Sequence, residues 1–129
     1  MMHLYQIIYI GLGGFFGAIA RFIVSKASYT FTTYFPLGTL CVNVLGSFIL
    51  GFILYSMIFG KTALSQYRDF LAIGFLGSFT TMSTFSYETI RLFESQNFTS
   101  SIVNILLNVG LSLCAIVCGK WVALTFFKF

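Results

Sequence analysis

Four long apolar stretches divide the chain, and polar and charged residues gather in the three short links between them. The stretches run from about Leu4 to Ser25, from about Leu37 to Phe59, from about Phe70 to Phe93 and from about Ile102 to Phe127. Each is close to the roughly 20 residues a helix needs to cross the hydrocarbon core of a bilayer. The pattern therefore predicts four transmembrane helices, with Pro36 suited to the first turn of the second. The links differ in character: Tyr29 to Pro36 is polar and aromatic, Gly60 to Asp69 carries charges, and Glu94 to Ser101 is rich in Ser, Thr and Asn. They leave no room for a second domain, so residues 1–129 are expected to form one all-α transmembrane unit.

Composition reinforces this reading. Hydrophobic residues make up 58% of the 129 and charged residues only 8%, against roughly 25% charged in soluble domains. Three acids and seven bases cannot clothe so apolar a chain in water. The N-terminal stretch superficially resembles a signal peptide, with Ala18-Ile-Ala20 placed like a cleavage site. No basic segment precedes it, and the run is too long for a signal core, so it is expected to be the first spanning helix.

The net charge of +4 is scattered over Arg21, Lys26, Lys61, Arg68, Arg91, Lys120 and Lys128, mostly flanking the apolar stretches. No basic run points to nucleic acid. Four crossings put both termini on one side, with Lys61, Arg68, Lys128 and, near it, Lys120; the other side has Lys26, Arg91 and, near it, Arg21. The excess is about one charge, and Asp69 accompanies the richer set, so the positive-inside rule specifies orientation only weakly. Two readings stand: the count is too small to interpret, or the protein inserts both ways.

Small residues recur at helical spacing, Gly13 with Gly17 and Ser47 with Gly51, with Gly46 alongside, as they do where helices approach closely in lipid. The glycines at 11, 13, 14 and 17 do not make a nucleotide-binding loop: no strand precedes them, and Phe16 stands where the third glycine belongs. Cys41, Cys114 and Cys118 lie inside apolar stretches, where they are read as small packing residues rather than metal ligands or a disulfide framework.

Polar groups at membrane depth are costly and usually face protein or a water-filled path. Four sets stand out. Gly77 to Ser86 crowds six hydroxyls into ten residues; Ser and Thr can rebond to backbone carbonyls and bend a helix. A break in the third helix is expected there, either as a hydroxyl-rich helix contact or, as the density favours, as a site whose freed carbonyls hold a cation. Asn104, Asn108 and Ser112 share a face of the fourth helix and stack for about 12 Å. Thr39 and Asn43 share a face of the second, as packing glue or ion contacts. Arg21 and Glu88 are ionisable: Arg21 can snorkel, and Glu88 is expected to form an ion pair with Arg91 or Arg21 rather than carry protons. Phe85 lies among the hydroxyls, and its electropositive ring edge could meet an anion. His3 is terminal, and no nucleophile–base pair, metal cluster or phosphate loop is present, so an enzyme is not expected.

These segments together resemble the small fluoride channels, the Fluc or CrcB family, over essentially the whole chain. The likeness is carried by Gly13-Gly14-Phe15-Phe16-Gly17-Ala18-Ile19-Ala20-Arg21, by Gly38-Thr39-Leu40-Cys41-Val42-Asn43-Val44-Leu45-Gly46, and by Gly74 to Gly77 with Thr80-Thr81-Met82-Ser83-Thr84-Phe85. The resemblance implies an antiparallel, dual-topology homodimer in the cell inner membrane, with two fluoride pathways along its interface and a structural sodium ion at its centre. Carried over, the sodium would meet the carbonyls of Gly77 and Thr80. Asn43 and Phe85 would face fluoride, and Thr39, Ser83, Thr84, Asn108 and Ser112 would be candidates for the polar track. Met82 stands where the family usually has Phe, which removes one ring edge, and Asn104 stands where some relatives carry an aromatic. The implied function is passive export of fluoride that entered as HF. Two other classes remain for comparison: a small multidrug-type transporter, which needs an acid in helix one that this chain lacks, and a structural subunit of a larger membrane complex.

Overall fold

The computed structural model describes residues 4–60 and 63–127; His3, Lys61 and Lys128 lie outside them. Among the described residues every regular element is helical. Helix α1 spans Leu4–Ser28 and α2 spans Leu37–Gly60. After a 3-10 turn at Ala63–Tyr67 comes α3, a π-helical run Asp69–Leu76 continued by one turn, Gly77–Phe79. Helix α4 spans Met82–Glu94 and α5 spans Phe98–Phe127. By length and composition α1, α2 and α5 can each cross a membrane. The third apolar stretch is divided between α3 and α4.

The division is narrower than the ten hydroxyl-rich residues suggested. Only Thr80 (φ −80°, ψ 156°) and Thr81 (φ −151°, ψ 120°) are extended. Several hydroxyls instead bond back within helices, Thr80 Oγ1 to the Leu76 carbonyl at 2.9 Å and Ser86 Oγ to that of Met82 at 2.9 Å, as short hydroxyl side chains do in lipid.

Glycines set which helices pair. A Cβ on Gly13 would lie 2.8 Å from the Phe75 nitrogen and against the Phe70 carbonyl; one on Gly17 would strike the Phe75 carbonyl. The backbones of α1 and α3 therefore meet directly, as small-residue spacing permits in lipid, and the π-helical run is the part that meets them. Such runs are rarely longer than one turn. On the other side of the bundle α2 packs along α5 in the same direction. There a Cβ on Gly51 would approach the Ile116 carbonyl to 2.5 Å, and one on Gly119 the Phe52 nitrogen to 2.7 Å. Val42, Ile53, Leu76 and Phe79 form the small apolar core between these pairs. Most other large apolar side chains, such as Leu12, Phe15, Phe22 and Ile105, point outward.

Helix α5 begins four residues earlier than the apolar pattern indicates, because its start is set by polar caps. Gln96 takes φ 60°, and the amides of Gln96 and Asn97 reach back to the Phe93 and Leu92 carbonyls at 3.0 Å each. This closes α4 in the left-handed manner that ends many helices. Asn97 Oδ1 then accepts from the Ser100 amide at 3.4 Å and caps α5.

Candidate site at the broken helix

Unwinding two residues inside the bundle leaves backbone groups that need partners. Asn43 of α2 supplies them for Thr81. Its Oδ1 accepts from the Thr81 amide at 2.8 Å, and its Nδ2 donates to the Thr81 carbonyl at 3.1 Å. Thr81 in turn caps α4, its Oγ1 accepting from the Thr84 amide at 3.2 Å and donating to Thr84 Oγ1 at 3.0 Å. The Thr81 amide goes to Asn43 and the Thr84 amide to Thr81 Oγ1, so the carbonyls of Gly77 and Thr80 lose the helical donors four residues on.

The second Nδ2 proton of Asn43 goes to Asn108 Oδ1 at 2.9 Å. Asn108 Nδ2 donates to the Asn104 carbonyl and to Asn104 Oδ1, at 3.1 and 2.9 Å. Asn104 Nδ2 donates to Thr89 Oγ1 at 2.9 Å, and Thr89 Oγ1 donates to the Phe85 carbonyl at 2.7 Å. Asn104 is 0% exposed and Asn108 4%, so full pairing of these amides is what burial demands.

A cleft of ≈ 320 Å³ opens beside the break, with Asn43, Thr80, Met82, Phe85, Asn108 and Ser112 on its walls. Phe85 is buried while Met82 is 70% exposed. Ser112 Oγ is buried and without a hydrogen-bond partner, although a helical serine can usually bond to its own preceding turn. Ser112 is a wall residue of the cleft whose hydroxyl spends neither its donor nor its lone pairs within the chain.

The remaining expected site residues lie elsewhere. Thr84 and Glu88 line a second cleft, of ≈ 400 Å³, formed by α4 and the link between α1 and α2, whose walls include Tyr29, Tyr34, Tyr87 and Arg91. Thr39 is buried within reach of the Glu88 carboxylate. Ser83 is exposed, 3.4 Å from Thr81 Oγ1. Gly77 is exposed at the end of α3. The ion pair expected for Glu88 does not form: neither Arg91 nor Arg21 bridges to it, and Glu88 Oε2 is buried without a partner. Arg91 instead lies over the Tyr87 ring, 6.0 Å from its centre, and Arg21 is half-buried on α1. The break thus gathers six of the expected residues, while Thr84 and Glu88 line a separate opening and Thr39 is buried behind Glu88.

Of the residues in this network only Thr89 is not marked out by the sequence: Thr81 lies within the hydroxyl-rich stretch and Asn104 on the polar face it shares with Asn108 and Ser112. Thr89 lies four positions after Phe85, one helical turn on, and that spacing places it beside the stretch.

Comparison with known proteins adds a family. Residues 8–120 match the family described as CrcB-like protein, Camphor Resistance (CrcB). A protein of Methanococcus maripaludis named fluoride-specific ion channel FluC is 46% identical over 121 residues, covering 94% of this chain and 98% of its own length. One of the same name from Hydrogenovibrio crunogenus is 44% identical over 127 residues, covering 98% and 96%. One from Clostridium perfringens is 42% identical over 124 residues, covering 95% and 97%.

Proposed function

The chain belongs to the CrcB-like family, and on that premise we propose that it is a fluoride-selective channel that lets cytoplasmic fluoride leave passively down its electrochemical gradient. It is a multi-pass membrane protein, and its role is that of a channel rather than an enzyme. The observation that carries the reading is the cleft at the break. There the unpartnered Ser112 hydroxyl and the buried Phe85 ring stand beside unwound backbone at membrane depth.

Fluoride is small and strongly hydrated, so a selective path must replace its water with donors while holding no full charge that would trap it. A hydroxyl and a positive ring edge meet that need. Asn43 and Asn108 shape the wall, but both Asn43 donors are already taken by Thr81 and Asn108. We assign the direct contact to Ser112 and Phe85, with Met82 at the open rim. Thr84 lies on the approach through the second cleft, with Thr39 buried beside its Glu88 wall and Ser83 next to Thr81 at the break.

The cleft is open on one side, and free carbonyls at this depth cannot face lipid. A second copy of the chain is the natural cover, in the antiparallel, dual-topology homodimer that the near-even flanking charges permit. The carbonyls of Gly77 and Thr80 would then hold a sodium ion between the copies. Carbonyl oxygens freed by unwinding suit such an ion, and when bound it supplies positive potential to an anion path. The multidrug-transporter alternative is disfavoured because α1 contains no acid.

The test is fluoride efflux from liposomes holding the purified protein, followed by electrode. Rapid release that excludes chloride is expected. No release from an intact reconstituted dimer would overturn the assignment. Sodium competition should place a cation at Gly77 and Thr80, and an empty centre would remove that part alone.

A further inference from the structure

Five hydrogen bonds run head to tail through the site. The Thr81 amide donates to Asn43, Asn43 to Asn108, Asn108 to Asn104, Asn104 to Thr89, and Thr89 to the Phe85 carbonyl. The chain leaves from Thr81 at the N-cap of α4, crosses α2 and α5, returns to α4 at Thr89 about two turns later, and ends on the Phe85 carbonyl one turn back. Its direction is fixed by backbone groups, which cannot exchange donor for acceptor. The Thr81 amide requires an oxygen from Asn43; the Asn104 carbonyl requires the amino group of Asn108. Once these two are set, Asn104 must turn its own amino group to Thr89.

We propose that Asn104 is a positioning residue for the permeation site. It touches neither the cleft nor the unwound backbone, yet it closes the loop that holds the Thr81 backbone at one end and the Phe85 carbonyl at the other. Aligned amides polarise one another in a low-dielectric interior, so a break at Asn104 or Thr89 loosens Asn43 at the far end. Without its Asn108 acceptor held in place, Asn43 can rotate, and the Thr81 backbone loses the partner that keeps it extended. The inference rests on the fluoride-channel reading for its functional consequence, but the coupling itself is independent of that reading.

The test uses Thr89→Val, which removes the hydroxyl at nearly constant shape, Thr89→Ser, which keeps it, and Asn104→Leu, which removes the amide at similar volume. Hydrogen exchange of the Thr81 amide is read by NMR on the purified full-length protein, and fluoride flux and fluoride-over-chloride selectivity are read in liposomes. Thr89→Val and Asn104→Leu are expected to speed exchange at Thr81 and to lower flux or selectivity by roughly tenfold, the scale of one buried hydrogen bond. Thr89→Ser should match the parent, and the double variant Thr89→Val with Asn104→Leu should be no worse than either single one. If Asn104→Leu does not fold, the Val and Ser pair at position 89 decides alone. Unchanged Thr81 exchange in Thr89→Val, or losses that add in the double variant, would overturn the proposal. A parent protein that conducts no fluoride would fail the channel reading, while Thr81 exchange would still judge the coupling.

Discussion

Asn43 and Thr81 pair as two strand residues would: the side-chain amide of one meets both the N–H and the C=O of the other, at 2.8 and 3.1 Å. The amide stands in for a missing stretch of backbone. This explains why an Asn, and not a Ser or Thr, is needed at that depth of α2, since only a carboxamide offers a donor and an acceptor side by side.

Replacing Asn43 should therefore be severe. Asn43→Ala strands a buried N–H and a buried C=O of Thr81, at about 1–3 kcal/mol each. Asn43→Asp keeps the acceptor but turns oxygens toward the Thr81 carbonyl and Asn108 Oδ1, and adds a charge. Thermal unfolding in detergent should show both variants destabilised, with Asp no better than Ala. A melting curve close to the parent's for Asn43→Ala would mean that water or another group replaces the amide.

Ser112→Ala separates stability from transport. Ser112 Oγ has no partner within the chain, so its removal should leave the melting temperature nearly unchanged while fluoride flux falls. Equal flux in the two proteins would take the hydroxyl out of the pathway.

Two aromatic changes test the cleft wall. Phe85→Ile is expected to slow flux strongly with the fold intact, because the ring edge is lost from a buried position. Met82→Phe adds the second ring that the resemblance implies at this position. Met82 is largely exposed, so the larger side chain meets no core of this chain, and liposome flux should persist.

Glycine contacts give the sharpest contrast in packing. A Cβ at position 17 would strike the Phe75 carbonyl, whereas one at position 11 meets nothing within 4 Å. Gly17→Ala should cost about 1–3 kcal/mol through overpacking. Gly11→Ala should be neutral or slightly stabilising, since alanine favours the helix by up to about 1 kcal/mol. Size-exclusion profiles after heating would distinguish them.

Much of the architecture was legible because lipid leaves a chain few options. Apolar length located the helices, and Gly13, Gly17, Gly51 and Asn43 announced themselves as small or polar residues with no other reason to sit at depth. Three features were not legible. The π-helical run Asp69–Leu76 has the same apolar composition as an α-helix, and only its contact with the glycine face of α1 distinguishes it. The unwinding was expected over Gly77 to Ser86 but confined itself to Thr80 and Thr81, because Asn43 can satisfy one residue and Thr81 itself caps the next helix. Glu88 was expected to find an arginine; proximity along α4 suggested Arg91, yet that side chain turns to the Tyr87 ring. Pairing across space is set by side-chain direction, which spacing alone does not reveal.

The groups that stabilise the break come from a residue 38 positions earlier in the chain. Alone in a bilayer, the stretch from Asp69 to Glu94 would lower its energy by closing the backbone ladder through Thr80 and Thr81 and becoming one straight rod. The bend is thus a product of docking rather than of insertion. The segment can enter the membrane as an ordinary helix and open only when α2 offers its amide, so the site comes into being at the moment the bundle assembles.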